Sequence, residues 1–351
     1  MIYMKMHALN AFFLLCLTLF GLVYCQFLTK EEYLKYKNGG DTTKLNPLEV
    51  LEAEVKSEGY SLYRAPSNIV DARDEKSGLT QLMVHAARGV KDECKHLIVQ
   101  GANLELTNKK GETALLIALS KGNYHSAAEL LKGHANMHHK SDLGLNALHT
   151  AIISGVSALV EAVVRTDDSW RNGVWAAQYF EPPIVDTTIS TGMTGLMMCS
   201  QDGQFDMAKT LLEFGAQPNL KSKTAETALM YASITGAASI VKLLLQHGAD
   251  PAIKNELGFT AAIMAANRGH LDVIQAFIQH DENFPQTGFL DLKDFAGHCA
   301  LDHAILSDHR KVVDALMAAG VATGKLVAIV SKDINLLRFA ALERRASLFR
   351  Q

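Results

Sequence analysis

The sequence repeats itself every 33 residues, and this period limits the folds open to the chain more than any other feature. One glycine or alanine marks the start of each copy, at Gly78, Gly111, Gly144, Gly192, Ala225, Gly258 and Gly297. The spacing is 33 residues everywhere except after Gly144, where it is 48, and after Gly258, where it is 39. A period of this length is typical of a solenoid, in which each copy is one supersecondary unit.

Each copy has the pattern of two helices followed by a loop. A threonine two residues after the marker, such as Thr113, can cap the first helix by accepting a hydrogen bond from a free backbone N–H. Leucine and alanine follow at helical spacing, as Leu229 and Ala232 show. The second helix carries a wider apolar stripe and stops at a glycine such as Gly248, which we expect in the left-handed conformation.

These copies resemble the ankyrin repeat, and the resemblance covers about seven repeats over residues ~70–320. It implies an all-α fold, an ankyrin-repeat solenoid built as a helix-turn-helix-loop stack. One repeat cannot bury its own apolar face, so the copies must stack on each other. We place repeats 1–3 in residues 70–166, repeats 4–6 in 192–282, and a loop with repeat 7 in 283–322.

The two ends of such a stack need polar lids. We expect an N-terminal segment and helical cap in residues 26–69, where 47–56 reads as an amphipathic helix. A degenerate helix pair in 323–351 is the expected C-terminal cap.

The longer break, residues 167–191, contains both tryptophans of the chain, Trp170 and Trp175. Insertions in repeat proteins fall in loops on one face, often the binding face, and exposed aromatic residues often anchor interfaces. The insertion therefore either contacts a partner or folds back and seals the break in the stack. The sequence leaves both alternatives open.

Residues 1–25 have the pattern of a secretory signal peptide, with Lys5 before an apolar run that ends near Cys25. We expect cleavage before Gln26 and a secreted or periplasmic protein. The alternative is an uncleaved signal anchor, which would hold the chain at a membrane through residues 8–25 only. The later cysteines, Cys94, Cys199 and Cys299, are too sparse for a disulfide framework and are interpreted as small buried side chains.

The charge balance argues against a nucleic-acid partner. The net charge is −3 and charged residues make up 20% of the chain, without the basic stripe that nucleic acids require. No H-E-x-x-H, C-x-x-C or G-x-S-x-G motif occurs, so we expect neither catalysis nor a cofactor. We also assign no metal, although two histidine groups were considered: His134, His138, His139 and His149, and a second with His298, Cys299, Asp302, His303 and His309.

The ankyrin resemblance implies a monomeric protein that binds a partner protein through its loop tips and the face of its first helices. With the insertion's tryptophans, the expected contact residues are Lys109, Lys110, Glu112, Leu143, Leu145, Trp170, Trp175, Met193, Glu226, Leu257, Phe259 and Arg268. The apolar members should form an exposed stripe, which favours a protein partner over a sugar or nucleotide. Leu257 and Phe259 should then be replaceable by aspartate without loss of the fold. The rival functions are a membrane-tethered structural scaffold without one specific partner and a histidine-cluster metal-binding protein.

Overall fold

The computed structural model describes residues 70–172, 182–283 and 288–321. All of them belong to one compact unit, Tyr63–Gln351. The expected leader, both expected caps and Trp175 lie outside the described residues. Within the described ranges the chain is helical, and its β-structure is confined to two isolated bridges, Arg73 with Thr80 and Thr188 with Thr194.

Each described copy starts with a short first helix, and a side-chain oxygen caps this helix in five of the seven copies. Thr227 and Cys299 make no such capping hydrogen bond. The Thr80 and Thr194 hydroxyl oxygens each accept a hydrogen bond of 3.3 Å from the backbone N–H three residues on, and Thr113 and Thr260 do the same. This confirms the predicted role of the threonine, since the first N–H groups of a helix have no partner inside it. The first helices are α1 (Gln81–Arg88), α3 (Ala114–Ser120), α5 (Ala147–Ser154), α7 (Gly195–Asp202), α9 (Ala228–Thr235), α11 (Ala261–Arg268) and α13 (Ala300–Leu306).

A longer second helix follows each first helix after a tight turn. The second helices are α2 (Lys91–Val99), α4 (Tyr124–Lys132), α6 (Ser157–Asn172), α8 (Phe205–Glu213), α10 (Ala238–Gln246), α12 (Leu271–Asn283) and α14 (Arg310–Ala318). After α10 the chain turns at Gly248 with a φ of +82°, which confirms the left-handed stop expected there.

The helices stack in two layers, and this confirms the predicted helical solenoid. Each first helix contacts the next first helix along the chain, and each second helix contacts the next second helix. Seven residues after the marker the first copy has His85, whereas the other six copies have small side chains that allow the first helices to approach closely. These are Ala118, Ala151, Cys199, Ala232, Ala265 and Ala304, all with no exposed surface. Cys94, Cys199 and Cys299 are free and buried, as the sequence predicted.

Side chains between the two helices of a repeat also tie that repeat to the one before it. The Asn123 amide donates hydrogen bonds of 2.9 and 2.8 Å to the carbonyls of Ala86 and Ala87. His270 and His309 bond in the same way to the carbonyls of Ile234 and Asn267, at 2.9 and 3.0 Å. These contacts satisfy carbonyls at the end of the preceding first helix, which have no partner within that helix.

No helix of the described ranges combines the length and apolarity that a membrane crossing requires.

The turn before each first helix requires a residue with positive φ, and Ala225 is the non-glycine residue at one of the markers, with a φ of +58°. A left-handed conformation costs an L-residue about 1–2 kcal/mol, and glycine avoids this cost. We therefore predict that Ala225→Gly raises the free energy of unfolding by about 1 kcal/mol. Urea unfolding of the full-length chain, followed by circular dichroism, measures the change.

The reverse substitution should separate backbone strain from crowding. A Cβ on Gly258 would lie 2.7 Å from the Phe295 backbone nitrogen, whereas a Cβ on Gly215 would meet nothing within 4 Å. Both glycines have positive φ, so Gly258→Ala should destabilise the protein by at least about 1 kcal/mol more than Gly215→Ala. Equal losses would show that the turn at Gly258 moves freely.

Candidate protein-binding site

The turn that precedes each first helix holds its own backbone. In the sixth copy the Asn255 N–H donates to the Phe259 carbonyl at 3.0 Å, and the Gly258 N–H donates to the Asn255 carbonyl at 2.9 Å. The Asn255 side-chain oxygen accepts from the N–H groups of Leu257 and Phe259 at 3.0 and 2.9 Å. The fold of the turn is therefore made by the backbone and by Asn255, and the Leu257 side chain takes no part in it.

Backbone hydrogen bonds join neighbouring turns. The Asp142 N–H donates to the Lys110 carbonyl at 3.2 Å, and the Lys223 N–H donates to the Thr191 carbonyl at 3.0 Å. The Glu256 N–H donates to the Thr224 carbonyl of the preceding turn at 3.4 Å. Successive tips are thus held beside one another, so side chains from different repeats can meet one partner.

Several tips present apolar side chains to solvent. Leu143 is 71% exposed and Leu257 is 46% exposed, as the sequence predicted. Phe295 is 74% exposed and was missed by the sequence analysis. A signal for it exists, because Phe295 lies in the Asp-x-x-Gly frame of the seventh turn, one position before the place that Leu257 occupies in the sixth.

Charged residues predicted as contacts also lie on the surface at the tips and elsewhere. Lys109 and Lys110 are exposed on the turn of the second copy, and Arg268 is exposed at the end of α11. Glu112 is half-buried and accepts a hydrogen bond of 2.9 Å from the Asn108 amide. Arg268 lies at the opposite end of its helix from the turn, so it does not belong to the row of tips.

The position directly after the marker does not form the exposed stripe that we expected. Glu226 is only 6% exposed, and its carboxylate accepts a hydrogen bond of 3.1 Å from the Thr224 hydroxyl. Leu145 is half-buried, and Met193 and Phe259 are half-buried and pack against the core. The backbone of this position is hydrogen-bonded within the turn, which directs the side chain back over the solenoid. The prediction of an exposed side chain is therefore wrong for Glu226. Leu145, Met193 and Phe259 are only partly exposed.

The described flanks of the insertion fold back on the repeats. Trp170 is half-buried against the core, and its ring lies 5.2 Å from the His134 ring. Beyond residues 173–181 the chain returns with Ile184 and Val185 buried in a 3-10 turn, Ile184–Asp186. These residues cover apolar surface at the break in the 33-residue period.

A buried carboxylate organises this fold-back. Asp167 is buried and pairs with the Arg171 side chain at 2.8 Å. Its Oδ2 also accepts a hydrogen bond from the Ile184 N–H at 3.2 Å, and the Arg171 guanidinium donates to the Pro182 carbonyl. His138 lies 3.5 Å from the other oxygen of the same carboxylate. Asp167 therefore joins the two sides of the insertion, and the sequence analysis did not predict this role.

The first histidine group does not converge on one point. His139 bonds to the Gly111 carbonyl at 2.8 Å, and His149 bonds to the Thr187 carbonyl at 3.1 Å. His134 and His138 contact Trp170 and Asp167, as described above. His134 and His138 thus contact the same helix, whereas His139 and His149 bond to two other segments, which is a structural arrangement.

The second histidine group is reorganised by the fold. His309 bonds to the preceding repeat, and Asp302 accepts a hydrogen bond of 3.1 Å from the Cys299 N–H at the start of α13. His298 and His303 remain together, with ring centroids 5.9 Å apart. The structure adds Asp294, whose Oδ2 lies 2.8 Å from His303 Nε2.

Comparison with known proteins identifies this architecture. A family model described as ankyrin repeats matches residues 82–171, 173–255 and 250–325. The chain belongs to the ankyrin-repeat family. Ankyrin repeats generally mediate protein–protein interaction, and ankyrin-repeat proteins are generally non-enzymatic scaffolds. No curated protein shows significant similarity to this ankyrin-repeat chain.

Solved ankyrin structures share the fold of this ankyrin-repeat protein. The ankyrin repeat domain of Bcl-3, described as a unique member of the IkappaB protein family, is 20% identical. The alignment covers 69% of this chain and 100% of that one, with a TM-score of 0.57. The human ASB11 ankyrin repeat domain is 23% identical over 69% of this chain and 98% of that one, with a TM-score of 0.53. Identities this low establish the fold alone.

The buried His149 should make this ankyrin-repeat protein sensitive to acid. Burial lowers the pKa of His149 from 6.5 to about 4; the Thr187 carbonyl opposes the shift and the nearby Lys140 adds to it. Between pH 6.5 and pH 4 the unfolded chain binds a proton at this ring that the folded chain does not. Stability is therefore complete above pH 6.5 and should fall by about 3 kcal/mol as the pH drops to 4.

The substitution His149→Gln isolates this contribution. Urea unfolding at pH 7, 5.5 and 4 should show a smaller loss of stability for the variant than for the wild type. Burial also lowers the pKa of His303, but that contribution is present in both proteins and cancels in the difference. Parallel pH profiles of the variant and the wild type would mean that the pKa of His149 is the same in the folded and the unfolded chain.

Proposed function

We propose that this chain is a non-enzymatic scaffold that binds a partner protein through the tips of its turns, the face of its first helices and the 167–191 insertion. The observation that carries the proposal is the exposure of large apolar side chains, Leu143, Leu257 and Phe295, at turns whose fold does not need them. A partner can cover these side chains without disturbing the fold of the turns, and the burial of their apolar surface stabilises the complex.

The surroundings of these side chains fit a protein partner. Stable protein interfaces combine an apolar centre with a polar rim. Lys109 and Lys110 are exposed on another turn of the same stack, and Lys254 and Lys293 lie beside the tips of the sixth and seventh turns. The Lys254 ammonium donates to the Lys293 carbonyl at 2.7 Å, which places one positive charge between these two turns. A partner with an apolar anchor and acidic residues around it matches this surface.

The insertion contributes to the proposed surface in a restricted way. Trp170 packs on the solenoid and the Asp167 network holds the flanks of the insertion, so these residues stabilise the scaffold. Contact with the partner is therefore proposed for residues 173–181, which include Trp175.

The proposal places the protein in the secretory pathway, secreted or periplasmic, because residues 1–25 have the pattern of a signal peptide. A solenoid of this kind needs no disulfide bonds, and its described cysteines are free and buried. An oxidising compartment is therefore compatible with the fold.

Replacing two tip residues should abolish binding without unfolding the protein. The double variant Leu257→Asp, Phe295→Asp places charge where the partner's apolar surface would lie, so we expect a dissociation constant at least about 100-fold larger. The wild-type chain is first used as bait in its own cells, and the affinity of each recovered protein is then measured with purified components. Phe259 is unsuitable for this test because its ring packs on His303 at 5.1 Å.

The control is Val99→Asp, which introduces a single aspartate at an exposed residue of the second-helix layer. It should bind as the wild type does, and all variants should keep the wild-type circular dichroism and melting temperature. A partner that binds the double variant and the wild type equally would refute the tip surface.

The leader can be tested on protein recovered from its own cells. We expect a mature N-terminus at or near Gln26, in a soluble fraction, which N-terminal sequencing after fractionation determines. An intact Met1 in the membrane pellet would contradict export and support a membrane-tethered scaffold instead.

A further inference from the structure

The seventh repeat differs chemically from the others at three positions. Asp294, His298 and His303 stand three residues before, one residue after and six residues after the marker Gly297. The sixth repeat has Asn255, Phe259 and Met264 at the same places. The exchange replaces an amide, an aromatic ring and a thioether by a carboxylate and two imidazoles, which are the side chains that bind transition metals.

The fold brings the three side chains together. Asp294 keeps the role of its counterpart in the turn, since its Oδ1 accepts a hydrogen bond of 2.8 Å from the His298 N–H. Its Oδ2 is left for His303, whose Nε2 lies 2.8 Å away. One donor atom from each of Asp294, His298 and His303 lies within 4.8 Å of the other two. Among the described residues, this is the group of three or more possible metal ligands that meets this distance.

The cluster is enclosed on one side and accessible on the other. Asp294 and His303 are buried, and the Phe259 ring meets the His303 ring edge to face at 5.1 Å. His303 Nδ1 is also buried and makes no hydrogen bond within the described part of the chain. His298 is half-buried, so an ion could enter from its side. The Phe259 ring limits the access of solvent to the cluster from that side.

We propose that Asp294, His298 and His303 bind one divalent transition-metal ion, for which Zn²⁺ is the appropriate probe. Zinc accepts imidazole nitrogen and carboxylate oxygen at about 2.0–2.2 Å in tetrahedral geometry, which sets donors about 3.3 Å apart. The Asp294–His303 pair, at 2.8 Å, has to open by about half an ångström, and a pair at the 4.8 Å limit has to close by at most about 1.5 Å. Rotation of the half-buried His298 ring supplies the larger movement, and a water molecule completes the coordination.

The donor set selects against the common hard cations. Ca²⁺ requires six to eight oxygen ligands, and Mg²⁺ prefers carboxylates and water, whereas two of the three donors here are imidazoles. The proposal is therefore specific for transition metals and does not depend on the protein-binding function proposed above.

A metal here would fasten the turn before α13 to α13 itself. Asp294 and His298 lie in the turn, and His303 lies within the helix. This repeat has Cys299 where four of the other six copies have a capping threonine, so the helix start lacks that hydroxyl. Because the folded chain alone holds the donors in place, a bound ion should raise the melting temperature.

The experiment uses full-length chain purified without a histidine tag and stripped with a chelator. Zn²⁺ is titrated calorimetrically, and Co²⁺ is added separately to record the visible absorption of a tetrahedral site. We expect one Zn²⁺ per chain, a higher melting temperature with Zn²⁺, and no response to Ca²⁺ or Mg²⁺. Absence of stoichiometric Zn²⁺ binding would overturn the proposal and leave Asp294 and His303 as a structural hydrogen-bonded pair.

Two variants and a control locate the site. His298→Ala removes a half-buried ligand and should keep the circular dichroism of the wild type while weakening Zn²⁺ binding more than about 100-fold. Asp294→Asn keeps an acceptor for the His298 N–H and should weaken binding at least about tenfold. His247→Ala removes an exposed histidine at the end of α10 and should bind as the wild type does. Wild-type affinity in both cluster variants would place the ion elsewhere and refute the site.

Discussion

Burial between neighbouring repeats is the interaction on which this structure depends. A single repeat cannot enclose its own apolar side chains, so each first helix of the described repeats packs on the next, and in six of the seven copies the contact has a buried alanine or cysteine. The close approach fixes the register of the stack, and the register in turn places every pre-helix turn beside its neighbour. Substitution of a larger side chain for one of these alanines would push neighbouring first helices apart and also disturb the turns, because both are spaced by the same helix contact.

The insertion shows what the stack requires where its period is interrupted. Fifteen extra residues would expose the side of the third repeat, and the chain covers it with Trp170, Ile184 and Val185. The buried Asp167 carboxylate fastens this cover by pairing with Arg171 and by accepting the Ile184 N–H. A buried charge is tolerated there because it has both a charged partner and hydrogen bonds. Trp170, the described aromatic residue at the edge of the insertion, therefore stabilises the solenoid.

The described turns fold without the side chains at their tips. Their shape comes from backbone hydrogen bonds, a left-handed residue and a small polar side chain such as Asn255. The tip side chains are consequently free to vary, and in this chain they include Leu143, Leu257 and Phe295. In the seventh repeat Asp294 has two roles: one carboxylate oxygen accepts a hydrogen bond within the turn, and the other bonds to His303.

The sequence by itself determined the 33-residue unit, the threonine N-caps of the first helices, the left-handed glycines that end helices and the all-α solenoid. These features depend on residues a few positions apart, so composition and spacing reveal them. Only the tertiary structure decided which side chains reach the surface: it buried Glu226, turned Phe259 onto His303 and exposed Phe295. It also joined Asp294 to the two histidines and Asp167 to Ile184. Exposure and convergence depend on the direction of each side chain and on neighbours about one repeat away, which a linear pattern does not specify.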